Sequence, residues 1–468
     1  MQARSFVAEA SFILLPAFQL RMTVTAIIEE QPMLVSAFTP THDPRFLGDV
    51  YACLLAQTYS NWEWVVVPNG DQAPIIAHTL AEIVGDDSRV RVSPFPDSLP
   101  AGSIGALKKF ACENCRGELF LEYDHDDLIT EDCFEQVVKA AADSGPNAFI
   151  YSDDVSLDEQ GASRKYNAAH GWTHYPWVYQ RQLYFSNHSH AVHARSLCEI
   201  LYSPDHVRVW KREAYSRAGG HDPSLRLGDD HELLVRTYLA GAEFRHIRRP
   251  LYIHRLRVDN TSQPRIAEIQ RQSHATRDRF LYPLVAEWCR REQLPMYDLG
   301  GAHGCPQGYV PVDEHLVESQ GLKLDVLSPE FDEAVPDHSA GCFRAHDFFE
   351  HIAIGDVVPL MNLLYRKLAP GGWILSHTPA VCDADGKVGR GAFQDPTHRS
   401  FWSENNWWYF TDSKFAKYVP EIRCRFQAVR LSTWYPSDWH LMHRIPYVIA
   451  DLCALKEQNA RWPGPVLI

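Results

Sequence analysis

The chain has 468 residues, 45% of them hydrophobic, with 59 acidic side chains against 45 basic ones and a formal charge of −14. That length gives room for two or three domains with ordinary globular cores. The acidic balance argues against nonspecific binding to nucleic acid or to anionic membranes, and 11 cysteines scattered without a framework point to reduced thiols and a cytoplasmic setting.

At the N-terminus, Ser11 to Leu20 is apolar but too short to span a bilayer and makes a weak signal peptide. Residues 1–30 are expected to be an extension, with Met22 as an alternative start. Leu34 to Phe38 then forms an apolar run that ends in the loop Thr39-Pro40-Thr41-His42-Asp43. A helical stretch follows through Leu54 and Leu55, and Trp62 to Val67 forms a second strand that closes on Asn69-Gly70-Asp71. Strand, helix and strand in this order predict a parallel sheet, and ligands of such sheets gather at the carboxyl ends of the strands.

Further on, Phe120 to Tyr123 leads into Asp124-His125-Asp126-Asp127. Side chains alternate along a strand, so Asp124 and Asp126 are expected to point the same way at its end, where they can share a hard divalent cation. The bland alternative is a solvated turn with Asp127 capping a helix that starts near Leu128. Cys112-Glu-Asn-Cys115 is a lone pair with no second pair to complete a metal site, and is read as incidental.

The ordered set TPTHD, LLAQTYSNWEWVVVPNGD, the segment from Ile104 to Ile129, FIYSDD, and the segment from Val209 to Arg255 resembles the family 2 glycosyltransferases. The resemblance implies a GT-A, Rossmann-like α/β domain over 31–265 that binds a nucleotide-sugar, a UDP-sugar favoured. It assigns Thr39, Pro40, Thr41, Asp43, Asn69 and Asp71 to the nucleoside, and Lys108 and Asp124 to its diphosphate. Asp124, Asp126 and, as a third ligand, His254 would hold Mn²⁺ or Mg²⁺. Asp230 would be the catalytic base of an inverting transfer, with Asp229 able to exchange roles with it. Pro68-Asn69 stands where many members carry an acidic pair, so the residue that reads the base is not carried over.

After Thr261-Ser262-Gln-Pro264 an Arg-rich helical stretch over 266–291 reads as a connector between compact units. A second α/β region is expected over 292–468: a strand at Pro295 to Asp298, the turn Gly300-Gly301-Ala302-His303-Gly304, a strand ending in Asp313, Gly321 to Asp325, and Leu-Ala-Pro370-Gly371-Gly372. This series resembles class I S-adenosylmethionine-dependent methyltransferases and implies a second Rossmann-like domain. Asp298, Gly300, Gly301, Gly304, Asp313 and Asp325 would bind S-adenosylmethionine. Ala302 departs from the usual glycine, and its methyl group would crowd the cofactor.

Asp395-Pro396-Thr397-His398 and the nearby aromatics suit a sugar acceptor equally with an aromatic core and a turn. The acceptor is a glycan, a protein side chain or a modified nucleobase. The competing reading is an acceptor-binding or assembly protein whose second domain is a degenerate scaffold.

Overall fold

The computed structural model describes residues 32–96, 98–99, 102–168, 172–198, 204–257, 265–317 and 321–456. The N-terminal extension, its alternative start and Thr261 to Pro264 lie outside these residues.

The first sheet is built from β1 (Val35–Thr41), β2 (Trp62–Pro68), β3 (Val90–Val92), β4 (Leu119–Glu122), β5 (Leu128–Ile129), β6 (Ala148–Leu157), β7 (Ser163–Arg164), β8 (Thr173–Tyr179), β9 (Gln182–His188), β10 (Arg208–Lys211) and β11 (Glu243–Arg255). Its spine runs β3-β2-β1-β4-β10-β6-β11-β5, and β7 and the β8–β9 hairpin pair off β6. Strands β1 to β4 pair in parallel, whereas β10 lies antiparallel between β4 and β6. Every residue of β2 is buried, as both faces of a parallel strand are when helices cover them. The covering helices are α1 (Leu47–Leu55), α2 (Ala73–Val84), α3 (Ile104–Asn114), α4 (Cys133–Ala142), α5 (Ala194–Leu197), α6 (Arg212–Arg217) and α7 (Asp229–Leu239).

The 27-residue α8 (Ile266–Glu292) follows, and then a second sheet of β12 (Met296–Leu299), β13 (Tyr309–Val312), β14 (Ala340–His346), β15 (Leu368–Pro379), β16 (Phe426–Trp434) and β17 (Tyr447–Ala454). Its order is β13-β12-β14-β15-β17-β16, parallel as far as β15, with β17 antiparallel to both of its neighbours. The chain reverses direction across the sheet between β12 and β14, which creates a switch point at their carboxyl ends.

Three expectations change. Leu128–Ile129 is a strand, and the next helix starts at Cys133. Leu368 to Gly372, expected as a helix-to-strand turn, belongs to β15 through an irregularity in its pairing with β14. The stretch read as a connector is also a core element. Leu281, Leu284, Val285, Trp288 and Cys289 of α8 share one apolar cluster with Phe38 and Leu233 from the first region and Cys342, Trp373 and Cys453 from the second. The buried Arg195 guanidinium donates from Nε to Gln427 Oε1 at 3.1 Å across the same seam. Met33–Ile468 accordingly forms one compact unit. All 11 cysteines are free thiols, and Cys112 and Cys115 are buried at the end of α3.

Candidate active site

Strand β4 ends at Glu122, so Asp124 to Asp127 lie in the turn beyond it. Strand alternation therefore does not orient them. The turn is held from three sides: Asp124 N–H donates to Tyr252 Oη at 3.1 Å, Thr39 Oγ1 donates to the Tyr123 carbonyl at 2.8 Å, and Asp127 Oδ1 accepts from Arg255 N–H at 2.8 Å. Asp127 binds β11 in this way and caps no helix. Asp124, Asp126 and Asp127 still reach one cavity of about 640 Å³, which Pro40, Asp43, Asn69, Asp205, His206, Arg208, Asp230, His254, Arg255 and Arg257 also line.

Of the predicted nucleoside residues, Pro40, Asp43 and Asn69 reach this cavity. Thr39 does not: its hydroxyl is buried and accepts from Trp64 Nε1 at 2.9 Å. Thr41 is buried, with its Oγ1 closing a turn onto Asp43. Asp71 is exposed, away from the cavity lining. Asn69 also borders a second cavity of about 640 Å³, lined by Pro68, Gly70, Val92, Phe95 and Leu107.

Lys108 is buried under the site, where it pairs with Glu122 and lies 3.5 Å from Asp229 Oδ2. Burial opposes its charge, but Asp229 and Glu122 outweigh that and raise its pKa well above the usual lysine value. Asp229 is 4% exposed at its side chain and also meets His221 Nδ1 at 3.0 Å. Asp230, the next residue on α7, is 28% exposed and lies 2.6 Å from Arg208 Nη1. Burial pushes the Asp230 carboxyl up, and the Arg208 and Lys108 charges overcome it, holding it at about 2. The two aspartates thus divide: Asp230 opens to the cavity, and Asp229 holds the structure behind it.

Asp126 is raised to about 6, first by burial and then by repulsion from Asp127 and Asp124. His254 is bracketed, with Nδ1 3.3 Å from Asp127 Oδ2 and Nε2 3.3 Å from Asp205 Oδ1. Burial disfavours its charge, but the two carboxylates raise its pKa well above the usual histidine value, so coordination would require the ring to give up a proton. Two groups of side chains have ligand atoms close enough to share an ion: Glu122 with Asp124 and His206, and Asp205 with His206 and His254. Glu122, Asp205, His206 and Arg208 escaped the sequence reading. Arg208 falls opposite Glu122 only because β10 enters the sheet antiparallel, and nothing local in the sequence reports that insertion.

In the second region, Gly300 has a φ of +78° and a Cβ there would sit 3.3 Å from Phe348, while a Cβ on Gly301 would meet the Asp298 carbonyl at 2.9 Å. These glycines are required by the loop's own packing. Gly304, at φ +97°, has open space around it. Asp313 Oδ1 accepts from His315 N–H at 2.7 Å, and Oδ2 accepts from Ala302 N–H at 3.4 Å, so this acid lies against the glycine loop. Asp298 instead pairs with Arg344 at 2.6 Å, and Asp325 accepts from Leu327 N–H in an exposed turn.

Residues 36–200 match the family Glycosyl transferase family 2. The O-antigen biosynthesis protein RfbC of Myxococcus xanthus is 27% identical over 227 residues, which is 47% of this chain and 16% of that protein. The uncharacterized protein y4gI of Sinorhizobium fredii is 31% identical over 131 residues, 27% of this chain and 14% of its own length. The chain thus spans about one-sixth of the curated relatives it matches.

Among solved structures, a 1–349 fragment of Staphylococcus aureus TarS is similar at a TM-score of 0.37 and 16% identity, over 55% of this chain and 72% of that one. The mannosyltransferase PcManGT of Pyrobaculum calidifontis, solved with GDP-Man and Mn²⁺, gives 0.35 and 16%, over 55% and 69%. The chain carries a family 2 glycosyl transferase domain on an α/β fold whose mixed sheet is consistent with the GT-A type. Among the described residues no helix is long and apolar enough to cross a membrane.

Proposed function

We propose that the protein is a metal-dependent, inverting glycosyltransferase that moves a sugar from a nucleotide-sugar to an acceptor hydroxyl or amide. The observation that carries this reading is the convergence of Asp124, Asp126 and Asp230 on one cavity at the carboxyl ends of the sheet, within the region that matches the family. Asp230 stays ionised throughout the neutral range and is the acid of its pair that opens to the cavity, as a base for the acceptor must. Arg208 fixes its orientation. Asn69 and the two loops around it offer amide and carbonyl groups to a nucleoside.

The crowding of carboxylates that lifts Asp126 is the condition a divalent cation relieves, so this site fits Mn²⁺ or Mg²⁺. Asp124 and Asp126 would hold the ion as the resemblance implies; Asp124 has its ligand atom grouped with those of Glu122 and His206, whereas Asp126 belongs to neither group and lies 3.4 Å from Arg257. The ion would supply charge neutralisation to the departing diphosphate. Arg255 and Arg257, on the same wall, add positive charge for the phosphates.

For the second sheet the reading is a methyltransferase-like domain. Its support is the switch point between β12 and β14, with the glycine loop and Asp313 beside it. Gly300 and Asp313 fit an adenosyl cofactor, whereas Asp298 is committed to Arg344.

The test is a donor screen in Mn²⁺ with UDP-, GDP-, dTDP- and CMP-sugars, read as nucleotide release. Release from one donor, abolished by chelator and by Asp126→Ala, supports transfer. Release that persists in both Asp126→Ala and Asp230→Ala would sink it. Calorimetry with S-adenosylmethionine, on wild type and Asp313→Asn, tests the second sheet separately.

A further inference from the structure

Beyond β14 the chain makes a short 3₁₀ turn, Phe349–His351, which packs against the segment around Asp395 to Ser400. Glu350, His351 and His398 there bring one ligand atom each within 4.8 Å of one another. We propose that these three residues form a binding site for a zinc-type divalent ion, separate from the cavity of the first sheet and independent of the glycosyltransferase reading.

Three observations carry it. Glu350 is 2% exposed, and its Oε2 is buried with no hydrogen-bond partner among the described residues. A buried carboxylate oxygen without a donor is costly unless a proton or a cation meets it. Second, both histidines have their other ring nitrogen engaged. His398 Nδ1 lies 2.9 Å from the Ala392 carbonyl, which can only accept, so Nδ1 carries the proton and Nε2 keeps its lone pair. His351 Nδ1 lies 3.2 Å from Thr397 Oγ1, and that hydroxyl donates to Asp395 Oδ1 at 2.6 Å. The chain of donors runs from His351 to Asp395, which again leaves Nε2 as the ligand. A carbonyl or carboxylate behind a ligating imidazole is the usual outer support of a metal site.

Third, the two segments are pinned together. The Glu350 carbonyl accepts from Arg399 N–H at 2.7 Å and from Ser400 N–H at 3.0 Å, and Ser400 Oγ donates to the Phe349 carbonyl at 2.8 Å. Contacts to the Phe349 and Glu350 carbonyls thus join the two segments, while the ring hydrogen bonds orient the two histidines.

Two imidazoles and one carboxylate suit zinc with a fourth position left open. Phe348, which a Cβ on Gly300 would meet at 3.3 Å, immediately precedes this turn in the chain. Phe393 and Phe401, exposed and stacked 5.1 Å apart, flank His398 in sequence. An open metal position beside exposed aromatic rings suits an oxygen ligand from a polyhydroxylated ring.

The test uses the full chain, stripped with chelator, reloaded with Zn²⁺ and analysed for bound metal after gel filtration, with Co²⁺ loading for the visible spectrum of its ligand field. Wild type and Asp126→Asn, the latter with the first-sheet metal site disabled, are both expected to retain the zinc held by Glu350, His351 and His398. His398→Ala and His351→Ala, each checked for an unchanged circular dichroism spectrum and melting point in the metal-free state, are expected to bind it at least about 10-fold more weakly. His254→Ala separates this site from the histidine cluster of the first sheet. Absence of zinc binding by the wild type, or loss of zinc in His254→Ala with retention in both His398→Ala and His351→Ala, overturns the proposal.

Discussion

The two sheets gather acidic residues at the same ends of their strands and use them in opposite ways. In the first, carboxylates outnumber what the fold needs. Glu122, Asp127, Asp205 and Asp229 are taken up by Lys108, His254, His206 and His221, and Asp124, Asp126 and Asp230 keep a face on the cavity, the last two also pairing with Arg257 and Arg208. In the second, Asp298 goes to Arg344, Asp313 to the glycine loop and Asp325 to a turn, and among the described residues Glu350 keeps a buried oxygen without a hydrogen-bond partner. Acids left over after the fold's own needs are met are the ones free for chemistry, and only the packed structure shows which those are.

The sharpest way to break this comparison is beneath the first site. Lys108→Met removes the buried cation that pairs with Glu122 and flanks Asp229, and is expected to cost about 3–5 kcal/mol, measured by urea unfolding. An unchanged midpoint would show that the buried acids are not held by Lys108. At the cavity, Asp230→Asn keeps the shape and removes the proposed base, so transfer should fall roughly 10²–10⁴-fold, a loss far larger than the lowering of the melting point from the weakened Arg208 pair. Asp229→Asn should instead lower stability, and equal activity losses without that effect would erase the division between the two aspartates.

A third test concerns the seam between the sheets. His346 and His377 stack 4.0 Å apart, and Tyr282 Oη lies 3.0 Å from Nε2 of each. Burial pushes their pKa values down, to about 2 and about 4, helped by Arg430 and Arg344 and, at His346, by His377 itself. Both rings are neutral in the fold, so their contribution is present above about pH 6.5 and is lost as pH falls towards 4, at no more than about 1.4 kcal/mol per pH unit for each. Asp451, held up to about 6 by burial despite Arg430, works in the other sense. It takes up a proton in the fold before the unfolded chain does, and so offsets part of the loss. His377→Asn should flatten the decline in unfolding midpoint between pH 6.5 and 4.5, and an unaltered slope would count against it. The smallest effect is expected at Asp313→Asn, about 1 kcal/mol for a weakened loop contact, with donor turnover unchanged. A matching loss of turnover would tie the second sheet to the first site.

Much of this was legible in the chain. The apolar runs at Leu34 and Trp62, the helix between them and the turn after Phe120 are local patterns that pointed to Asp43, Asn69, Asp124 and Asp126, and the resemblance to a family added Pro40 and Asp230; all six line one cavity. Thr39 and Asp71 show the limit: sitting near a strand end does not decide whether a side chain faces the cavity, the core or solvent. The same limit explains Lys108, which a sequence reading places beside phosphate and the packing places beneath two carboxylates.

By itself the sequence determined the opening strand, helix and strand, the α/β class of both regions, and the resemblance of a segment to the glycosyl transferase family 2, because these rest on periodicity or on ordered short motifs. Only the tertiary structure decided that Arg208 faces Glu122, that α8 is shared core, and that Glu350, His351 and His398 meet. Those contacts join residues tens to hundreds of positions apart, and which of them form depends on strand direction and on the pairing of buried charges, neither of which is written in any local stretch of the chain.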